Sequence, residues 1–234
     1  MEQTPENNAA KLSIIMPVYN EIQTLETILN RVRDVDIDKE IIVVDDGSTD
    51  GSREFLQELD WPELNLILQP RNQGKGSAVR AGIAAAQGEC LLIQDADLEY
   101  YPEEYPKLLE PILDGRADVV YGTRFLGTHR VFMFWHFLAN RLLSLLTNIL
   151  YNTMLTDMET CYKVFRAEVI KGITIRSNGF DLEPEITAKI FKQGWRVYEV
   201  PISYDGRGYD EGKKITWRDA FWAVVALIRY RVSD

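Results

Sequence analysis

The first half of this 234-residue chain alternates short apolar runs with amphipathic segments, and this alternation constrains the fold more than any other feature. Runs rich in Val, Ile and Leu predict strands, and apolar residues at helical spacing predict helices. We predict strands at 12–18, 40–44, 64–69, 91–94 and 118–121, and helices at 21–35, 52–59, 76–86 and 102–113. This order predicts an α/β fold: a Rossmann-like, mostly parallel central sheet with helices on both faces.

Local signals place some of the helix ends. Asn20 is predicted to cap the first helix, and Gly88 to end the third. Pro102 fits the first turn of the fourth helix.

The second half has a different rhythm. A long helix is predicted at 134–154, further helices at 183–192 and 216–229, and a strand at 195–200. The long helix is mostly Leu, Phe, Trp and Ile, so its wide apolar face either packs on the sheet or lies in a lipid interface. No repeat or linker separates the two halves. We therefore expect a disordered tail over 1–10 and a single domain over 11–234.

Charge is unevenly distributed along the chain. The formal charge of −10 argues against a nucleic-acid partner, since such proteins carry a basic surface. Residues 119–156 contain no Asp or Glu, but they contain Arg124, Arg130 and Arg141. This predicts a local anionic partner. The N-terminus lacks the pattern of a signal peptide, and the longest uncharged run, 142–156, is shorter than the roughly 20 residues of a membrane span.

A pair of carboxylates follows the strand predicted at 91–94. Asp95 and Asp97 leave its C-terminal end, and neither has a Lys or Arg beside it in sequence. Burying unpaired carboxylates is costly, so we expect a cation there, and a divalent metal suits carboxylate oxygens. Open α/β sheets bind ligands at the carboxyl ends of their strands. The sequence therefore predicts a metal-assisted active site.

Three other loops carry polar motifs. Residues 17–21 (Pro-Val-Tyr-Asn-Glu) place an aromatic ring after the first strand, where it could lie against a nucleobase. Asp45 and Asp46 follow the second strand, and a carboxylate there can bind a base or a ribose. Residues 71–76 bracket Lys75 with two glycines at a helix N-terminus, which can attract phosphate.

Together and in order, these motifs resemble family 2 glycosyltransferases of the GT-A fold. The resemblance covers about 12–124, and beyond it the chain is similar to the polyprenyl (dolichyl) phosphate mannosyltransferase branch. The later matches are Gly-Thr-Arg-Phe at 122–125, Phe-Asp-Leu-Glu at 180–183 and Glu-Val-Pro-Ile at 199–202, with Arg207 and Lys213 six residues apart.

The resemblance implies an inverting, metal-dependent transfer of mannose or glucose from GDP-mannose or UDP-glucose to a lipid phosphate. It implies a nucleotide-sugar-binding half at 11–124 and an acceptor-binding half, with amphipathic helices, at 125–234. The protein would be cytoplasmic and peripherally associated with the membrane.

The resemblance also implies roles for single residues. Asp97 and Arg124 would be catalytic, and Mg²⁺ or Mn²⁺ would bind to Asp95, Asp97 and Glu99. Arg124, Arg130 and Lys163 would face the acceptor. The donor would contact Pro17, Tyr19, Glu21, Val44, Asp46, Lys75, Asp95, Ala96, Asp97, Arg207 and Lys213.

One segment departs from the branch. Residues 159–163 read Glu-Thr-Cys-Tyr-Lys where the branch usually has Thr-Ser-Gly-Phe-Arg. Lys163 could replace the Arg only as a point charge. Three alternatives remain open: transfer to a soluble or polysaccharide hydroxyl with Asp181 or Glu183 as base, a nucleotide-sugar-binding regulator without turnover, and a sugar nucleotidyltransferase. The last usually has a Gly-rich, Arg-containing loop after its first strand, unlike residues 17–21.

Overall fold

The computed structural model describes residues 12–131, 133–208 and 217–233, with the side chains of 217–219 left out. The tail at 1–10 lies outside these ranges. The strands are β1 (Leu12–Val18), β2 (Lys39–Asp45), β3 (Leu64–Leu68), β4 (Cys90–Ile93), β5 (Val119–Thr123), β6 (Lys163–Arg166) and β7 (Val197–Pro201). The helices are α1 (Ile22–Asp34), α2 (Ser52–Glu58), α3 (Lys75–Ala85), α4 (Tyr105–Leu113), α5 (Phe134–Tyr151), α6 (Ala167–Lys171), α7 (Leu182–Gln193) and α8 (Trp217–Val232).

The described strands form one sheet in the order β3-β2-β1-β4-β6-β5-β7. Every pairing is parallel except those of β6, which runs antiparallel to both β4 and β5. The predicted α/β class with a mostly parallel sheet is confirmed. Val18 lies opposite Asp45, and Ile15 lies opposite Ile93, so β1, β2 and β4 end at the same edge of the sheet.

Strand β6 and the short helix α6 were not predicted from the sequence. The strand has only four residues, and its first, Lys163, is a charged residue that nevertheless has no exposed surface. A buried lysine breaks the hydrophobic pattern from which strands are predicted. The strand is defined by its two neighbours in the sheet rather than by its own composition.

The prediction for the start of α1 was wrong in one detail. Asn20 has φ +55° and does not cap the helix, and its Oδ1 accepts a hydrogen bond from the amide of Thr49 at 2.8 Å. The amides at the start of α1 instead donate to side chains just before and at the start of α2. Ile22 N donates to Asp50 Oδ2 at 3.1 Å, and Glu21 N donates to Ser52 Oγ at 3.1 Å. The caps come from a distant loop, which sequence-local rules do not consider.

Helix α3 packs closely on β1. A Cβ atom on Gly82 would lie 2.4 Å from Ile15 Cγ2, so the helix can approach the strand only with glycine at this position. The helix ends at Ala85, and Ala86 is already extended. The prediction that Gly88 ends this helix was therefore wrong. Of the helices in the described ranges, none is long and apolar enough to cross a membrane.

Candidate active site

The loops that follow β1, β2 and β4 meet at the edge of the sheet where these strands end. The strand ends and these loops carry the residues that the sequence singled out: 17–21 at the end of β1, 45–50 at the end of β2 and 95–99 after β4. Residues 205–207 also reach this edge, since Asp205 N donates to the carbonyl of Glu99 at 2.9 Å. The edge is therefore a site built from four loops.

Two consecutive aspartates organise the wall of this site. Asp46 is 2% exposed, and its two oxygens accept hydrogen bonds from the amides of Gln73 and Gly74, both at 2.8 Å. Asp45 is fully buried and bonds to the guanidinium of Arg53, with Nε to Oδ2 at 2.6 Å. Both carboxylates therefore hold neighbouring loops in place, and Asp46 ties the glycine-rich loop before α3 to the end of β2.

The residues that are candidates for contact with the nucleoside differ in how exposed their side chains are. Tyr19, directly after β1, is 39% exposed, so part of its ring is accessible to a flat ligand. Pro17 is half-buried beside it. Val44 is fully buried within β2, so only its backbone could reach a ligand. Glu21 lies deeper, with a side chain that is 15% exposed.

Asp95 is paired with a lysine from the helix beside it. The Nζ of Lys75, the first residue of α3, lies 2.8 Å from Asp95 Oδ1 and 3.8 Å from Glu183 Oε1. Burial alone would raise the pKa of Asp95, but the ammonium of Lys75 outweighs it and holds that pKa below its ordinary value. Burial alone would lower the pKa of Lys75, but Asp95 and the other neighbouring groups, which include Glu183, together outweigh burial and raise that pKa well above its ordinary value. Asp95 is therefore an ionised partner of Lys75.

Asp97 and Glu99 converge on one arginine. Arg207 Nη2 lies 2.6 Å from Asp97 Oδ2, Nε lies 3.3 Å from Glu99 Oε1, and Nη1 lies 3.4 Å from Glu21 Oε2. Ala96, between the two aspartates, is buried, and its carbonyl accepts from Thr24 Oγ1 at 2.9 Å. The carboxylate pair has no Lys or Arg beside it in sequence, and its cationic partners, Lys75 and Arg207, come from residues distant in sequence.

A single guanidinium does not neutralise this cluster. Burial, and after it the neighbouring charges of Asp95 and Glu99, raise the pKa of Asp97 to about 7, and Arg207 offsets only part of this rise. The cluster therefore retains excess negative charge, which favours binding of a further cation.

The carboxylates are not arranged as a metal cage in this conformation. Among the described residues, no three His, Cys, Asp or Glu side chains are grouped so that they could hold a metal ion. The donor set nevertheless fits a hard cation in its chemistry, since it consists of carboxylates, and the guanidinium of Arg207 already occupies a cation position between them.

Arg124 lies at the end of β5 in a buried ion pair. It is 8% exposed, and its Nε and Nη2 donate to the two oxygens of Asp157, each at 2.7 Å. Its guanidinium also lies 5.1 Å from the ring centroid of Tyr204. Burial opposes its charge, but Asp157 outweighs that effect and raises the pKa of Arg124 well above its ordinary value. Arg124 is a fixed, permanent charge beneath the site.

Arg130 is exposed at the side of the site. Its amide donates to the carbonyl of Tyr204 at 3.0 Å, and its Nη1 lies 3.3 Å from the carbonyl of Gly206. A cavity of about 270 Å³ lies here, lined by Tyr101, Thr128, His129, Arg130, Ser203, Tyr204 and Asp205. Arg130 is thus near the loop that carries Arg207.

The structure does not bring Lys163 to the surface of the site. Its ammonium is fully buried, where it contacts Glu183 and the carbonyl of Thr160 and lies 4.8 Å from the ring centroid of Tyr121. As placed, Lys163 positions Glu183, which in turn faces Lys75. Glu159, at the start of the same segment, has a buried Oε1 without a hydrogen-bond partner in the described part of the chain, and burial raises its pKa to about 7.

Lys213 lies outside the described residues. Two residues near the site were not identified from the sequence: Asp157, which holds Arg124, and Tyr204, whose hydroxyl donates to Glu99 Oε2 at 2.6 Å. Asp157 could have been noticed as the first acid after the acid-free window at 119–156.

The architecture matches solved glycosyltransferase structures. Glucosyl-3-phosphoglycerate synthase from Mycobacterium tuberculosis, solved with Mn²⁺, UDP and glucosyl-3-phosphoglycerate, superposes with a TM-score of 0.76 at 19% identity, over 96% of this chain and 81% of that one. The same enzyme with Mg²⁺ and UDP gives a TM-score of 0.74 at 20% identity, over 96% and 80% of the two chains. The fold is therefore that of the GT-A glycosyltransferases.

Sequence comparison gives the family. The model of glycosyl transferase family 2 matches residues 13–174, and the chain belongs to this family. It is 32% identical to a dolichol-phosphate mannosyltransferase from Pyrococcus furiosus, over 87% of this chain and 59% of that protein. It is 31% identical to an undecaprenyl-phosphate mannosyltransferase from Micrococcus luteus, over 85% of each chain. The chain thus spans less than two thirds of the Pyrococcus relative.

Proposed function

We propose that this protein transfers a hexose, mannose or glucose, from a nucleoside diphosphate sugar to a polyprenyl phosphate. The observation that carries the proposal is the convergence of Asp95, Asp97 and Glu99, with Lys75 and Arg207, at the edge where β1, β2 and β4 end. A site that alternates carboxylates with cationic side chains suits a diphosphate and its metal ion. The names of the Pyrococcus and Micrococcus relatives support the lipid phosphate as acceptor.

The donor would lie across the loops at the strand ends. Tyr19 would stack on the base, and Pro17, Glu21, Val44 and Asp46 would line the nucleoside pocket. Lys75 and Arg207, with Lys213, would face the diphosphate. Asp95, Asp97 and Glu99 would hold Mg²⁺ or Mn²⁺, which when bound would stabilise the charge on the leaving diphosphate.

The acceptor would approach from the side of β5. A phosphate monoester has a second pKa of about 6, so its oxygen is mostly anionic at pH 7 and needs no strong general base. Arg124 is a fixed positive charge held by Asp157, and Arg130 lies exposed beside the adjacent cavity. These two arginines would position the phosphate for a single in-line displacement with inversion of the sugar.

The structure also bears on the base that a hydroxyl acceptor would need. Of the two candidates, Glu183 is 6% exposed and ion-paired with Lys163, which leaves it poorly placed to take a proton. Asp181 is half-buried, and its Oδ1 accepts from the amide of Gly179 at 3.2 Å. Asp181 is therefore the residue to test if a hydroxyl acceptor is found.

A donor screen tests the first half of the proposal. We expect GDP-mannose or UDP-glucose to raise the melting temperature in the presence of Mn²⁺, because a ligand that binds only the folded state stabilises it. The shift should disappear with EDTA. A screen in which no sugar nucleotide shifts the melting temperature, with or without Mn²⁺, would contradict the proposed donor site.

A lipid acceptor implies contact with a membrane, and two helices offer a surface for it. Helices α5 and α8 pack against each other, and the Tyr151 hydroxyl donates to the carbonyl of Leu227 at 2.7 Å. Each helix leaves aromatic side chains exposed: Trp135 is 75% exposed on α5, and Trp222 is 58% exposed on α8. The exposed basic residues of these helices include Arg141, Arg229 and Arg231. We propose that this aromatic and basic surface binds anionic lipid at the cytoplasmic face of a membrane.

Vesicle flotation tests this membrane contact. We expect the protein to float with vesicles containing phosphatidylglycerol at low salt and to bind less as salt rises, since each basic residue near the surface contributes about 1 kcal/mol. The double variant Trp135→Glu, Trp222→Glu should not float. The matched control is Leu113→Glu, an apolar residue on α4 that is 55% exposed and should float like the unmodified protein. Equal flotation of the double variant would contradict this surface.

A further inference from the structure

The contacts of Arg207 occupy the carboxylate oxygens that a metal ion would need. Asp97 Oδ2 bonds to the guanidinium at 2.6 Å, and Asp97 Oδ1 accepts from the amide of Glu99 at 3.0 Å. Glu99 Oε1 accepts from the Arg207 amide at 2.8 Å and from its Nε at 3.3 Å, while Glu99 Oε2 accepts from the Tyr204 hydroxyl at 2.6 Å. All four oxygens therefore have a partner within the protein.

A divalent ion and this guanidinium cannot share the same oxygens. Arg207 lies between Asp97 and Glu99, so an ion at either carboxylate would be in contact with a like charge at short distance. In the same arrangement, no three of the described His, Cys, Asp and Glu side chains are grouped so that they could hold a metal ion. Arg207 and the ion therefore compete for one position.

The charge balance indicates whether Arg207 or a divalent ion binds the carboxylates once a donor is present. Arg207 faces three carboxylates, those of Glu21, Asp97 and Glu99, and one guanidinium does not compensate the negative charge of all three. A divalent ion neutralises the cluster better. A diphosphate also offers the displaced guanidinium a new anionic partner, which it can bind with a planar fork of donors.

We propose that Arg207 is the resident counter-cation of the donor-free site, and that it must leave Asp97 and Glu99 before these residues can take a divalent ion. This inference rests on the proposed metal-dependent transfer. It makes metal and nucleotide binding cooperative: Mn²⁺ alone competes with Arg207, whereas Mn²⁺ with a nucleoside diphosphate binds as Arg207 moves from the carboxylates to the phosphates.

The test is Mn²⁺ binding, measured by calorimetry, to the unmodified protein and to Arg207→Gln. Without nucleotide, the variant should bind Mn²⁺ about tenfold more tightly. This corresponds to Arg207 occupying the carboxylates in about nine of ten molecules, since the apparent affinity falls in proportion to the fraction of molecules whose site is open. With Mn²⁺ saturating, the variant should bind GDP or UDP more weakly than the unmodified protein. A general loss of structure would weaken the binding of both ligands, so it would not produce tighter Mn²⁺ binding together with weaker nucleotide binding.

The matched control is Arg31→Gln. Arg31 pairs with Glu103, and its described contacts do not include Asp97 or Glu99, so the substitution removes the same charge without releasing these carboxylates. It should bind Mn²⁺ like the unmodified protein. Equal or weaker Mn²⁺ binding by Arg207→Gln would overturn the inference and leave the proposed function standing. Absence of Mn²⁺ binding by every variant, even with GDP or UDP present, would overturn the metal site of the proposed function as well.

Discussion

The variant Asp97→Asn is expected to lose sugar transfer by about 10²–10³-fold in kcat while remaining folded, an effect of the size seen when one preorganised electrostatic group is removed. Asp97 lies at the centre of the carboxylate cluster, and Asn keeps its shape but removes its charge. The amide is a poorer ligand for a hard cation and a poorer partner for Arg207.

The same substitution should not destabilise the protein at pH 8. The pKa of Asp97 is raised to about 7 from its ordinary value of 3.8, first by burial and then by Asp95 and Glu99. A protein that carries an acid with a raised folded-state pKa becomes less stable as the pH rises from about 4 to about 7. The Asn variant carries no such acid at this position, so this loss of stability does not occur. In EDTA, Asp97→Asn should therefore melt no lower than the unmodified protein at pH 8, and its advantage should shrink towards pH 5.

Thermal melts at the two pH values and a transfer assay check this prediction together. The matched control is Asp114→Asn, a surface aspartate that pairs with Arg116 and should leave transfer unchanged. Near-normal transfer by Asp97→Asn would contradict the assignment of Asp97 to the active site.

The variant Asp157→Ala is expected to lower the free energy of unfolding by about 3–5 kcal/mol, because it leaves a buried arginine without its partner. Asp157 is fully buried and bonds both the amide and the guanidinium of Arg124. For a chain of this length, each kcal/mol corresponds to a fall of about 2–4 °C in melting temperature. The double variant Arg124→Met, Asp157→Leu should recover part of the loss, since no unpaired charge remains.

A second arginine–aspartate pair provides the control for burial. Arg196 also bonds both oxygens of an aspartate, Asp118, but its side chain is 54% exposed. Arg196→Ala should cost no more than about 1 kcal/mol. Urea denaturation of the three variants checks the comparison, and similar losses for Asp157→Ala and Arg196→Ala would show that burial of the Arg124 pair has been overestimated.

The sheet edge and its loops could be predicted because their signals are local. Strands β1, β2 and β4 each contain a run of apolar residues, and each is followed closely by polar residues. The rule that ligands bind at the carboxyl ends of parallel strands then places Asp46, Asp95 and Asp97 at one edge. These inferences need only the order of residues along the chain.

The pairing of charges could not be predicted in the same way. Asp97 and Arg207 are 110 positions apart, and Lys75 and Asp95 are brought together by the packing of α3 beside the sheet. The buried Lys163 is similar: the resemblance implied that it faces the acceptor, whereas its partner is Glu183, which lies on another element. A sequence shows which charges a chain carries, and only the fold shows which of them meet.

Transfer of labelled sugar to a matched pair of lipids tests the central claim most directly. GDP-mannose and UDP-glucose would each be supplied with Mn²⁺ and either a polyprenyl phosphate or the corresponding free polyprenol. We predict labelled glycolipid from one donor with the phosphate, none with the alcohol, and none with the phosphate once EDTA is added. Transfer to the alcohol at an equal rate, or to the phosphate undiminished by EDTA, would contradict the account.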